Sequence, residues 1–470
     1  MDATGMTAAP HRGFVADIPG PHSGPVTGSV REFQRDLLGT LARGMHRYGD
    51  VVTYRFGPRG TPLGVTIVVA HHPDDVQRVL TGTERTYSKN TVTFRVMGEM
   101  LGHGLLNAAG DEWRRQRRVV QPLFTPRRVE GYTTLMAEEA AQVAATMPAD
   151  GDGAPVDLHL MMMRYTLRVV GRALFGDDIE DLVPVLDELV PQMSSVTRQR
   201  MLRMLQIPLR YPGPGNRRAR ALHQRQYAVI DKVLARSSGP ATAPYDDGRD
   251  DLVSRLRIAT NPDTGEPLSA GEIRDQALIF LLAGHETTAG ALTFTLHLLG
   301  RHPEIQDRVA TEVREVLGDD PYPTPDQLRR LTFTRAALQE GLRLFPSAHA
   351  TERATTTEVE LGGYTLPDRQ IVLVSPWTTH RHPAFWEEPE RFDPGRFVGE
   401  HHRPRYAYFP FGGGPRGCVG EHFAMLEAVA LLASLLRHHQ VTSVRAEIPV
   451  TPNITLRPAG EVPVTFHPRP

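Results

Sequence analysis

The sequence predicts a mainly α-helical fold with a smaller β region, and three observations support this fold class. The first is an apolar helical pattern that begins after Ser269 and continues to about Gly300, a length of about 45 Å. The second is a pair of β-rich runs, 51–56 and 65–70, separated by glycine and proline. The third is a run of helix-forming residues, 421–432, directly after a glycine-rich loop that contains the only cysteine.

Composition restricts the possible classes of function. The chain has 470 residues, of which 40% are hydrophobic and 23% are charged, as is usual for a soluble globular protein. A formal net charge of −1 argues against nucleic-acid binding. A single cysteine excludes an intramolecular disulfide and fits a reducing compartment. No apolar run near the N-terminus approaches the roughly 20 residues of a membrane span, so we expect a cytoplasmic protein without a membrane anchor.

The elements of the N-terminal half follow in chain order. Residues 1–30 contain several prolines and glycines, which predict a flexible segment ahead of a single domain. The two β-rich runs predict a hairpin, and Pro73 suits the first turn of a short helix after it. Residues 82–112 show no sustained period and predict a loop. Residues 158–236 predict several helices, and the linker-like stretch 237–251 is too short to establish a domain boundary.

The long apolar helix contains an interruption that indicates a function. Ser269 and Glu272 predict a capping box at its start. In its middle, 283–288 read Ala-Gly-His-Glu-Thr-Thr, although glycine costs up to about 1 kcal/mol relative to alanine inside a helix. A buried glutamate costs more unless it is paired or protonated, so a purely structural helix would not favour this segment. A zinc-protease HExxH motif is excluded because residue 289 is alanine.

Cys418 is the candidate metal ligand. It lies just before the predicted helix 421–432, whose unpaired N–H groups and dipole stabilise a thiolate, and Arg416 adds a nearby cation. Glycines allow such a loop to lie close to a flat ligand, as expected for a haem-iron ligand. An inert buried thiol is the commonest alternative for a lone cysteine. The glycines of 412–417 also fit a dinucleotide fingerprint, but Pro410 breaks the preceding run and little chain remains for a βαβ unit.

The spacing Phe411-x-x-Gly414-x-Arg416-x-Cys418-x-Gly420 resembles the haem-binding loop of the cytochrome P-450 family at every defining position. The resemblance extends over roughly residues 45–465. It implies the P-450 fold, in which the long central helix crosses the haem and the cysteine loop lies on the proximal side. It also implies that residues 31–470 form one catalytic domain and that Cys418 binds the iron of haem b.

The same resemblance assigns further residues. Glu286 and Thr287 match the family's acid–alcohol pair, with Thr287 hydrogen-bonding dioxygen or a water beside it and Glu286 relaying protons. Glu340, Arg343 and Arg396 match a buried network that supports the haem loop. The residues expected to contact haem are Trp113, Arg117, Ala283, Gly284, Arg353, Phe411, Gly412, Arg416, Val419, Gly420 and Ala424. The residues expected to line an apolar substrate pocket are Leu105, Leu106, Phe280, Ala348, His349, Ala350 and Ile454, with His349 as the polar contact.

The activity implied is that of a haem-thiolate monooxygenase. It would activate O2 with two electrons and hydroxylate or epoxidise an apolar small molecule of secondary metabolism, such as a terpenoid, polyketide, steroid or fatty-acid-like compound. Because the chain shows no flavin or iron–sulfur module, electrons would come from NAD(P)H through a ferredoxin and ferredoxin reductase, or a flavodoxin. We expect a monomer that binds no nucleic acid. Arg114, Arg115 and Arg118 lie off the face shared by Trp113 and Arg117 and are candidates for docking the redox partner.

Two alternatives remain at this point. A haem-thiolate isomerase, dehydratase or peroxygenase would share Cys418 without using O2. A non-catalytic haem-binding or ligand-binding protein would need neither Glu286 nor Thr287, so the intact pair argues against both alternatives. The sequence does not identify the substrate.

Overall fold

The computed structural model describes residues 13–22, 24–58, 61, 64–147, 154–176, 180–201, 207–236, 251–400 and 402–469. Helices predominate. They are α1 (Val30–Tyr48), α2 (Pro73–Thr81), α3 (Val92–Leu101), α4 (Gly110–Val120), α5 (Pro126–Glu130), α6 (Thr133–Ala145), α7 (Leu158–Phe175), α8 (Val183–Met201), α9 (Pro214–Arg236), α10 (Leu252–Ile258), α11 (Ala270–Arg301), α12 (Pro303–Leu317), α13 (Pro325–Arg330), α14 (Thr332–Leu344), α15 (Pro376–Thr379) and α16 (Glu421–His438).

In the part of the chain that the structure describes, the strands form one larger sheet and three small ones. They are β1 (Gly13–Phe14), β2 (Val51–Phe56), β3 (Val65–Ala70), β4 (Tyr87–Ser88), β5 (Val156–Asp157), β6 (Thr351–Thr355), β7 (Val359–Leu361), β8 (Tyr364–Leu366), β9 (Ile371–Val374), β10 (His439–Ser443), β11 (Val450–Pro452), β12 (Leu456–Pro458) and β13 (Pro463–Pro468). The five-stranded sheet has the order β2-β3-β9-β6-β4. The predicted hairpin is confirmed, because β2 and β3 pair antiparallel with Val51 opposite Ala70.

Helix α11 occupies the centre of the helical region. The predicted capping box at Ser269 and Glu272 is present, with each residue bonding the other's backbone N–H. The helix packs against α7, α14, α16 and β10. Its length and composition would suffice to cross a membrane, but 78% of its most apolar window is buried inside the protein. Its apolar side chains are therefore buried against neighbouring helices and a strand of the same protein.

One sequence prediction needs correction. Residues 92–101, predicted as a loop, form α3, whose buried Phe94, Met97, Met100 and Leu101 lie on one face. Glycines at 98 and 102 obscured this period in the sequence.

The N-terminal segment 1–30 was predicted to be flexible, and this stays a prediction. Within it, β1 pairs with β8 and Ile18 is 5% exposed. Residues 1–12 of the segment lie outside the described residues.

Candidate active site

A cavity of about 720 Å³ is the candidate active site. Its wall combines helices α3, α8 and α11, the segment between α14 and β6, and the loop before α16. It brings together the candidate metal ligand and every residue expected to contact haem: Cys418, Trp113, Arg117, Ala283, Gly284, Arg353, Phe411, Gly412, Arg416, Val419, Gly420 and Ala424. It also contains Glu286, Thr287 and all the predicted pocket residues: Leu105, Leu106, Phe280, Ala348, His349, Ala350 and Ile454.

The loop that carries Cys418 is shaped by glycine and held by backbone hydrogen bonds. The Cys418 N–H donates to the Phe411 carbonyl at 2.9 Å. Gly412 and Gly414 have φ values of +71° and +63°, which side chains other than glycine rarely adopt. A Cβ on Gly414 would lie 2.2 Å from the Leu80 carbonyl oxygen, so the loop can lie this close to the end of α2 only without one. The glycines therefore fix where the thiol faces the cavity.

The Cys418 side chain is accessible from the cavity although it lies deep inside the protein. Burial raises the pKa of its thiol, while the N–H groups of Gly420 and Glu421 lower it by a smaller amount. The expected helix-terminus effect is therefore present, and burial outweighs it. The thiol fits an iron ligand, because metal binding displaces its proton and the two N–H groups then stabilise the thiolate.

Several cations converge on the same cavity. Arg117 donates to the Gly417 carbonyl at 2.9 Å, which ties α4 to the cysteine loop. Arg353 is 5% exposed, and burial followed by the nearby Arg416 cation lowers its pKa to about 10. The Arg416 guanidinium lies 3.9 Å from the centre of the Trp113 ring and donates to the Ala108 carbonyl at 2.7 Å.

Two further charged residues near these arginines, Glu84 and Lys89, were not predicted from the sequence. Glu84 forms an ion pair with Arg416. Lys89 is buried, donates to the Leu106 carbonyl at 3.1 Å, and has a pKa well below its ordinary value because of burial and the nearby Arg353. Together with Arg117, Arg353 and Arg416, these two residues place more positive than negative charge beside the cavity. This balance of charge suits the two propionates of haem. Lys89 is one of only two lysines in the chain, but neither it nor Glu84 belongs to a recognisable motif.

The two residues of the acid–alcohol pair on α11 have different surroundings. The Thr287 hydroxyl faces the cavity and donates to the Ala283 carbonyl at 2.5 Å. The Glu286 carboxylate is 6% exposed and accepts hydrogen bonds from the Thr455 hydroxyl and the Arg457 Nε. Arg457 is itself buried, so Glu286 is held in a buried ion pair. The sequence analysis identified Ile454, in the turn before Arg457, only as a substrate contact. No feature of the sequence indicated that Arg457 bonds Glu286.

The expected supporting network is assembled. The Glu340 and Arg343 side chains are fully buried and form a two-pronged ion pair with N–O distances of 2.7 and 2.8 Å. Arg343 also donates to the carbonyls of His380 and Pro389. The Arg396 Nε lies 3.4 Å from a Glu340 oxygen, close enough for an ion pair but without a well-aligned hydrogen bond.

The arginines proposed for partner docking are already paired with carboxylates. Arg114 pairs with Asp111 on the same helix. Two further ion pairs join Arg115 to Glu272 and Arg118 to Asp263. The side chains of Arg114 and Arg118 remain about half-exposed, and exposed pairs of this kind contribute little, so the docking role of these arginines stays a prediction.

Comparisons with known proteins place this geometry in a family. The cytochrome P-450 family model matches residues 18–463. The chain is 34% identical over 457 residues to cyclooctat-9-en-7-ol 5-monooxygenase of Streptomyces melanosporofaciens, covering 96% of this chain and 95% of that protein. It is 34% identical over 447 residues to cyclooctatin synthase of the same organism, with coverage of 94% and 92%. It is 32% identical over 464 residues to pentalenene oxygenase of Streptomyces avermitilis, with coverage of 97% and 96%.

The predictions of family, fold class and enzyme class are confirmed by these matches together with the mainly helical fold. Family membership implies the use of haem and O2 and the need for redox partners, as well as an organic small molecule as substrate. The chain therefore belongs to the cytochrome P-450 family and is a monooxygenase of secondary-metabolism type.

Proposed function

We propose that this P-450 hydroxylates or epoxidises a terpenoid. The observation that carries the proposal is the apolar wall of the cavity, to which α3 contributes Phe94 and Met97 and α11 contributes Ile279 and Phe280. Burial of a hydrocarbon skeleton against such a wall contributes about 25 cal/mol per Å² of apolar surface. The names of three related proteins, two of which refer to cyclooctatin compounds and one to pentalenene, support the same substrate class.

The roles of the binding residues follow from their positions. Haem, when bound, supplies oxygen activation and transfer. Cys418 binds the iron, and the Arg117, Arg353 and Arg416 cations hold the carboxylates of the ring. Ala283 and Gly284 leave room beside the ring, because neither has a bulky side chain. The apolar wall excludes water from the bound substrate.

Proton delivery is assigned to Glu286 and Thr287. The Thr287 hydroxyl lies on the cavity surface, where it can pass a proton inward, and Glu286 on the same helix can take up a proton from solvent and relay it. The ion pair with Arg457 and the hydrogen bond from Thr455 orient the Glu286 carboxylate. Arg457→Gln should therefore leave haem binding intact, lower product formed per NAD(P)H consumed by about tenfold, and increase peroxide release. The same yield of product per NAD(P)H in the variant would contradict this role.

We also propose that the electrons come from NAD(P)H through a ferredoxin and its reductase, or a flavodoxin, and that a monomer works in the cytoplasm. Family membership supports the need for redox partners. A single cysteine, which cannot form an intramolecular disulfide, supports a reducing compartment.

The test is a turnover experiment with the haem-loaded enzyme, a ferredoxin system and a panel of sesquiterpene and diterpene hydrocarbons and alcohols. We expect NAD(P)H-dependent products that contain one oxygen atom from ¹⁸O₂. The reduced carbon monoxide complex should have the red-shifted band of a thiolate ligand, which Cys418→Ala should abolish. Product formation without O2 would instead support an isomerase, dehydratase or peroxygenase. The absence of both spectral shifts and products across the panel would contradict the terpenoid proposal.

A further inference from the structure

We propose that His349 binds a neutral oxygen function of the substrate, so that this enzyme acts on a terpenoid alcohol or ketone rather than on a hydrocarbon. The inference rests on the proposed function and names the substrate class more narrowly. It assigns His349 as the residue that determines this specificity.

The position of His349 is fixed by its backbone, while its ring lines the cavity. Its carbonyl accepts hydrogen bonds from the Ser375 hydroxyl at 2.7 Å and from the Trp377 N–H at 3.5 Å. The residue is 5% exposed, and neither ring nitrogen has a hydrogen-bond partner among the described residues; Nδ1 is fully buried, whereas Nε2 keeps accessible surface. A substrate oxygen that bonds Nε2 would supply the hydrogen-bond partner that this atom lacks.

Three other polar groups on the same wall already have partners. The Ser347 hydroxyl donates to the Thr287 carbonyl at 2.7 Å. Arg353 donates to the Thr351 hydroxyl at 3.2 Å, and Glu286 is bonded by Arg457. These groups stabilise the protein itself. His349 differs from them because its ring nitrogen is left for a ligand.

The charge state of His349 favours a neutral ligand. Burial, together with the nearby Arg198 cation, lowers the pKa of the imidazole to about 4. The ring is therefore neutral at pH 7 and offers one donor and one acceptor. A hydroxyl can bond the accessible Nε2 whether that atom is the donor or the acceptor, and a carbonyl can bond it when it is the donor. A carboxylate would need a cation, for which Arg198 on the same wall is the candidate.

The test compares matched ligands on the haem-loaded enzyme. A polycyclic sesquiterpene or diterpene hydrocarbon, its alcohol and its carboxylic acid are titrated, and Kd is read from the spectral shift of the haem. We expect the alcohol to bind at least about tenfold more tightly than the hydrocarbon, because a site built for a hydroxyl rejects an analogue without one. Product analysis of the same pairs should give a similar ratio of kcat/KM.

Two variants test whether His349 is responsible. His349→Phe keeps an aromatic ring without nitrogen, and it should reduce the preference for the alcohol over the hydrocarbon to less than about threefold. His349→Asn keeps a donor and an acceptor and should retain most of the preference. The hydrocarbon Kd and the thiolate spectrum in each variant establish that the cavity is intact.

Three results would overturn the inference. The hydrocarbon could bind the wild-type enzyme as tightly as the alcohol, or the preference could survive in His349→Phe. The acid could also bind most tightly and lose its advantage in Arg198→Gln, which would identify an anion site instead. A hydrocarbon that is oxidised without preference leaves the terpenoid monooxygenase intact and rejects only the role of His349. Failure of the whole panel rejects the proposed function itself.

Discussion

The loop around Cys418 and the wall formed by α3 and α8 face the same cavity, but different interactions hold them in place. The loop is held by directional contacts, such as the Arg117–Gly417 hydrogen bond, and by the close approach of Gly414 to Leu80. The wall is held by packing among apolar side chains, including Phe94 and Met193. Directional contacts fix atoms to a fraction of an ångström, whereas packed side chains tolerate exchange at similar volume. We therefore expect the loop region to determine haem binding and the wall to determine which substrate is bound.

The largest effect is expected at the buried network behind the loop. Arg343→Leu leaves the Glu340 carboxylate without its main partner, and an uncompensated buried charge costs about 3–5 kcal/mol. We expect little or no haem incorporation and strong loss of stability, measured by haem content and urea unfolding. Arg391→Leu is the control, because this arginine forms an exposed pair with Glu388. Normal haem content in Arg343→Leu would show that the network does not support the loop.

The next largest effect is expected in the loop around Cys418. Gly414→Ala combines a positive φ with a Cβ 2.2 Å from the Leu80 carbonyl oxygen, so we expect a loss of about 3 kcal/mol or more in the free energy of unfolding. Gly399→Ala is the matched control, because Gly399 also has a positive φ but no atom within 4 Å of the added Cβ. The loss of unfolding free energy in this control measures the strain of a positive φ alone, about 1–2 kcal/mol. Equal losses in both variants would show that close packing against α2 is unimportant.

The same contrast explains what the sequence could predict. The loop and the α11 interruption carry dense motifs, because few residue types satisfy a positive φ or a proton relay. The spacing of these motifs, together with the family resemblance they carry, predicted Cys418, Glu286 and Thr287 as site residues, and all three line the cavity. The Glu84–Arg416 and Glu286–Arg457 pairs join residues more than 150 positions apart. No local pattern records such contacts, and α3 was missed because two glycines interrupt its apolar face.

A pH effect of intermediate size is expected from α11, which supports both regions. Burial lowers the pKa of His285 and of His297 to about 4. Each ring stays neutral in the folded protein at a pH where the unfolded chain, with a pKa of about 6.5, binds a proton. The unfolded state therefore binds more protons between about pH 6.5 and 4, and stability is lost as the pH falls through this range. The loss is about 2 kcal/mol per histidine between pH 7 and pH 5.

His297→Asn tests this linkage away from the cavity. The His297 ring is hydrogen-bonded to the Ser443 hydroxyl at 2.7 Å. We expect urea unfolding of the variant to depend less on pH than that of the wild-type protein, by about 2 kcal/mol over the same interval. His402→Asn at an exposed position is the control and should leave the slope unchanged. Parallel pH curves for His297→Asn and wild type would contradict the linkage.

The smallest effect on stability is expected at the wall, where function should nevertheless change. Met193 is 3% exposed and lines the cavity, and Met193→Leu conserves side-chain volume, so it should cost less than about 1.5 kcal/mol. Met136→Leu is the matched control, because Met136 is fully buried in a core cluster but is not part of the cavity wall. We expect similar unfolding free energies for the two variants, measured in urea. Only Met193→Leu should change the ratio of oxidation products, since a branched side chain shifts the bound skeleton against a fixed haem. An equal change in both variants would mean that product ratio reports general loosening of the protein and that the wall does not determine substrate position.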